Sequence, residues 1–172
     1  MTATLDRDAF VTRFGGVFEG SPWIADAAWD RGPYADGPAL HAAMVAILAG
    51  APRDARLALI RAHPDLAGKA AIAGALTPES TREQAAAGLD RLTAEQHARL
   101  LELTAAYRER FGFPFVVCAR EHTPDSIIAT AAERLAHDPD AEERTALVEI
   151  AKIAALRLAD LVPDDVPEGT SA

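Results

Sequence analysis

The chain has 172 residues, a formal charge of −9 and a single cysteine, Cys118. That length suits one domain that buries its own core, and one thiol rules out any internal disulfide. An acidic chain with no basic run is a poor ligand for nucleic acid, and no apolar run reaches the length of a membrane span. The opening MTATLDRDAF lacks the basic start and apolar core of a signal peptide, so the expected compartment is the reducing cytoplasm.

Helix formers dominate and β-branched alternation is scarce, which predicts an all-α fold: a single compact helical domain of about seven to eight helices. The first helix is expected over 6–14. The stretch GGVFEGSPWIADAAWDRGPY (15–34) is rich in turn residues and reads as irregular, anchored on the core by Phe18, Trp23, Trp29 and Tyr34. Helices follow over 38–49 and 53–62, and Pro64 ends the second by excluding α geometry from the residue before it. A loop with Gly68 and Gly74 leads to a helix over 78–88, stopped by Gly88. Thr93 and Gln96 match a capping box opening a helix to Arg110. FGFPFVVCAR (111–120) is the most strand-like stretch, but it has no partner strand and reads as an extended, buried loop. Pro124 sits at the first position of a helix over 124–136. The last helix covers 140–161, and the tail 162–172 is expected to be disordered.

Few residues stand out chemically. His63 follows a helix and precedes a proline; the helix C-terminus behind it favours a protonated ring, and the plain alternative is a surface or capping histidine. Ser80 and Glu83 match a capping box. A rival start, with Thr77 as cap and Pro78 at the first position, instead puts Ser80, Glu83 and Gln84 on one helix face and leaves Glu83 free. Arg157 falls inside the apolar arc formed by Leu147, Ile150, Ala154, Leu158 and Leu161. A charge there needs a partner: Glu149, Asp160 or water on one reading, an anionic ligand on the other. Cys118 lies among apolar residues and reads as a small buried hydrophobe. His41, His97, His122 and His137 show no metal-ligand spacing, so no metal is expected, and no phosphate-binding loop or nucleophile elbow appears.

Five stretches together resemble the OHCU decarboxylase family, whose substrate is 2-oxo-4-hydroxy-4-carboxy-5-ureidoimidazoline. They are F-G-x-V-x-E-x-S-P-W (14–23), AHPDLAGK (62–69), S-x-x-EQ-x-x-AGLD (80–90), YRERFGFPFVVCAR (107–120) and EIAKIAALRL (149–158). The resemblance implies an all-helical homodimer that needs no cofactor and converts its small-molecule substrate to (S)-allantoin in urate breakdown. It implies His63 and Glu83 as catalytic residues. It places substrate contacts at Pro64, Ser80, Glu83, Gln84, Phe115, Val116, Val117, Cys118, Ala119 and Arg157. The ending GTSA is not a peroxisomal address. Two rivals remain open to the sequence: a non-catalytic helical module that binds a small anion, and a hydrolase of the same pathway, for which no metal site or activated nucleophile is seen.

Overall fold

A computed structural model describes residues 5–68 and 74–162. Among them are eight α-helices and no strand: α1 (Arg7–Phe14), α2 (Trp23–Trp29), α3 (Gly37–Ala49), α4 (Arg53–Ala62), α5 (Pro78–Ala86), α6 (Ala94–Phe111), α7 (Pro124–Arg134) and α8 (Pro139–Leu161). The all-α expectation therefore holds. The tail falls almost entirely outside the described residues.

The helix starts follow local chemistry. Asp6, Asp36, Thr93, Thr123 and Asp138 each accept a backbone N–H of the first turn, and prolines occupy the opening turn of α3, α5, α7 and α8. The Thr93–Gln96 capping box forms in both directions. Gly112 ends α6 at φ +74°, a conformation that favours glycine.

The stretch 15–34 corrects the sequence reading. WIADAAW forms α2, burying Ile24, Ala25 and Ala28 against the neighbouring helices α1 and α3. Phe18 and Tyr34 do anchor the core and Trp29 packs against it, but Trp23 is 37% exposed. Seven residues between turn-formers carry too little periodicity to announce a helix.

The 23-residue α8, roughly 35 Å long at 1.5 Å per residue, packs against α3 and α4. Helices α6 and α7 pack together beside a buried aromatic group of Tyr107, Phe113 and Phe115. Between them the segment 113–118 is extended and buried, as expected, and ends in a 3-10 turn at Ala119–Glu121. No neighbouring strand supports this segment among the described residues, so side chains do. Arg134 Nη1 donates to the Val116 carbonyl at 2.8 Å, and the Cys118 N–H donates to Glu149 at 2.8 Å. Buried backbone groups need such partners.

Candidate active site

His63 closes α4. Its backbone is extended, at φ −70° and ψ 137°, because Pro64 follows. Its Nδ1 lies 2.9 Å from the Leu59 carbonyl, one of the last four carbonyls of α4. A carbonyl only accepts, so Nδ1 carries the hydrogen, and the neutral ring leaves Nε2 as its basic nitrogen. Burial pushes the imidazole below its ordinary value of 6.5, against the opposing pull of the Leu59 carbonyl, Glu19 and Glu83. The sequence expectation of a protonation-favouring loop histidine is thus reversed. The residue is buried, and desolvation outweighs the helix terminus.

The choice of cap on α5 is settled by geometry. Thr77 Oγ1 accepts from Ser80 N–H at 3.2 Å, so Thr77 is the cap and the Ser80–Glu83 capping box does not form. Glu83 is released to bind Arg157 with both oxygens, Nε to Oε1 at 2.7 Å and Nη2 to Oε2 at 2.9 Å. Gln84 uses its side-chain oxygen to accept from Ala67 N–H at 3.0 Å, tying α5 to the loop after His63. Ala67 there sits at φ 48°, an uncommon conformation for a non-glycine residue.

Arg157 is 5% exposed and its partners are neither of those expected from its own helix. Glu149 instead supports Cys118, and Asp160 pairs with Arg120. Besides Glu83, Arg157 meets Glu19, Nη1 to Oε2 at 3.0 Å, the Gly16 carbonyl at 3.4 Å and Ser80 Oγ at 3.3 Å. Ser80 in turn donates to Glu19 at 3.3 Å. Burial works against the guanidinium charge, but Glu83 and Glu19 outweigh it, and the pKa of Arg157 is raised.

Glu19 is the residue that sequence reasoning missed. It lies inside the quoted 14–23 motif, yet only folding brings it to Arg157, 138 residues away. Gly20 makes the approach possible: its φ is +58°, and a Cβ there would sit 3.1 Å from Ala62 Cβ, at the end of α4.

All eleven residues that the resemblance assigned to the site line one cavity, joined by Leu66, Arg120, Ile153 and Leu156. His63 and Pro64 come from the end of α4, Ser80, Glu83 and Gln84 from α5, Arg157 from α8, and Phe115 through Ala119 from the extended segment. Cys118 is buried and its thiol is pushed up to about 11, first by burial and then by Glu121 and Glu149, so it stays protonated at neutral pH. Among the described residues no group of three His, Cys, Asp or Glu side chains has metal-binding geometry.

The fold and cavity define a class: a helical protein with a cavity lined by a buried imidazole and a carboxylate–guanidinium pair. Within that class, the chain belongs to the OHCU decarboxylase family, whose sequence model matches residues 3–159. A 2-oxo-4-hydroxy-4-carboxy-5-ureidoimidazoline decarboxylase of Amia calva is 42% identical, over 92% of this chain and 91% of its own. The mouse protein of that name is 43% identical over 92% and 89%, and that of Haloferax volcanii 42% over 91% and 90%. An (S)-allantoin synthase structure superposes with a TM-score of 0.74 at 28% identity, covering 92% of this chain and 52% of that one. An OHCU decarboxylase solved in the presence of (S)-allantoin shares the fold, with a TM-score of 0.70 at 23% identity over 91% and 98%.

Proposed function

We propose that this chain decarboxylates 2-oxo-4-hydroxy-4-carboxy-5-ureidoimidazoline to (S)-allantoin. The observation that carries the reading is that a member of this family gathers, around one cavity, every residue its motifs single out. Family membership favours an enzyme over a non-catalytic module.

The substrate carries a hydroxyl and a carboxylate on one ring carbon, next to a C=N bond. As CO2 leaves, its bonding pair moves into the C=N, whose nitrogen takes a proton. The resulting enol becomes a ketone when the hydroxyl proton leaves and the neighbouring carbon gains one. The substrate thus contains its own electron sink. His63 Nε2, unprotonated at neutral pH, takes the hydroxyl proton. Acid–base help of this kind is worth ~10²–10⁴-fold. Glu83 faces the cavity and is held by Arg157, so it can accept from a ring or ureido N–H. Arg157 keeps Glu83 and Ser80 in place, and Gln84, Pro64 and the backbone of 115–119 shape the remaining wall. The resemblance also supports a homodimer, and the lone protonated thiol fits a cytoplasmic enzyme.

The test follows freshly generated substrate by circular dichroism. The unaided reaction has no means of choosing a face and gives racemic allantoin. The protein should speed the decay and yield one enantiomer. Equal rates and a racemic product with the folded protein present would sink the reading.

A further inference from the structure

Donor accounting separates the two arginines that line the cavity. Arg157 has five N–H groups and all five are committed within the protein: two to Glu83, and one each to Ser80, Glu19 and the Gly16 carbonyl. Arg120 spends one, from Nη1 to Asp160 Oδ2 at 2.7 Å, in a partly exposed pair. Such pairs are weak and exchange readily.

Position points the same way. Arg120 follows the extended wall directly and borders both the cavity and an adjoining groove that also holds Arg13, Arg82, Glu79 and Asp160. The cavity floor is different. There Arg157 is paired with Glu83, which lines the cavity, and with Glu19 behind them, beside a neutral His63. That floor carries a net negative charge and repels an incoming carboxylate, whereas Arg120 attracts it.

We propose that Arg120 is the guanidinium that meets the substrate's carboxylate, a specificity-determining contact that the decarboxylated product cannot make. The inference rests on the decarboxylase reading. It places the departing CO2 beside the groove and leaves the hydroxyl-bearing face to His63. An exchangeable, half-exposed pair recruits the carboxylate without fixing it in the ground state, which a buried ion pair would do at the expense of rate.

The test compares two ligands that differ by the carboxylate. Arg120→Gln should raise KM for freshly generated substrate by about tenfold. It should leave kcat within about threefold and inhibition by (S)-allantoin within about twofold. Arg120→Lys, which keeps the charge, should recover part of the loss. Asp160→Asn, which frees Arg120, should lower KM. An unchanged KM in Arg120→Gln overturns the proposal, and so does a parallel loss of substrate and allantoin binding, which marks a merely structural role. If the parent protein itself neither speeds decay nor selects an enantiomer, the decarboxylase reading fails instead.

Discussion

Among the described residues are two buried arginine–glutamate clusters, and they differ in what lies beside them. In one, Arg134 of α7 binds Glu142 of α8, which also accepts from Tyr107 and lies 2.7 Å from His137 Nδ1. Glu142 is fully buried, and Arg134 stacks on Phe115, 4.7 Å from the ring centroid, and holds the Val116 carbonyl. In the other, Arg157 binds Glu83 and Glu19 on the wall of a cavity, next to an imidazole with a basic nitrogen to spare. The first cluster keeps Arg134, Glu142 and Tyr107 buried, lines no part of the cavity, and acts on the site through the Val116 carbonyl it holds. In the second, Arg157 and Glu83 line the cavity. A buried charge is therefore informative about chemistry when it borders a cavity, and about architecture when it does not.

The contrast breaks most sharply at His63. His63→Asn should stay folded, lose ~10²–10⁴-fold in rate, and give nearly racemic allantoin. A folded variant that makes (S)-allantoin at the parent rate would remove His63 from the mechanism. Glu142→Leu should do the reverse. It strands the buried Arg134 charge and should cost about 3–5 kcal/mol of stability, read by denaturant unfolding, while any folded fraction at low temperature keeps most of its kcat. A variant that is stable but inactive would move Glu142 into the site. Arg157→Met stands between them: stranding Glu19 and Glu83 should cost about 3 kcal/mol or more and should also lower kcat, because Glu83 loses its anchor. Full stability in that variant would mean the carboxylates have other partners.

A smaller effect is expected with pH. The folded-state pKa of His63 lies below 6.5, so the unfolded chain binds its proton first as the pH falls. The stability this residue contributes is complete above pH 6.5 and is lost as the pH drops from there toward the lowered value. The rate should show an acid limb that also begins below 6.5. His63→Asn should abolish the stability slope in that window, and a slope that persists would assign it to another group. Smallest of all, Cys118→Ala should cost about 1 kcal/mol and keep most turnover; complete inactivity in a folded variant would give the thiol a chemical role.

Most helices were legible because caps and prolines mark their starts: Thr93 with Gln96, Pro124, and Pro64 after α4. Helix α2 was not, since its burial of Ile24, Ala25 and Ala28 shows only once α1 and α3 are in place. The site was legible as a set of motif residues, but its wiring was not. Thr77 and Ser80 are both valid caps by local rules, and only the reach of Glu83 to Arg157, 74 residues on, separates them. Burial of His63 reversed the expected direction of its titration for the same reason: desolvation comes from distant segments that no local spacing reveals.

The bond from His63 Nδ1 to the Leu59 carbonyl has a consequence for isotope experiments. With one nitrogen engaged by the last turn of a helix, the ring is a one-port base and cannot serve as a wire. A proton accepted at Nε2 leaves by the port through which it entered, and the solvent behind α4 is insulated from the reaction by a peptide carbonyl. Exchange of label between the reacting molecule and heavy water is then controlled at the cavity mouth alone. Narrowing that mouth should slow wash-in while the imidazole itself stays unaltered.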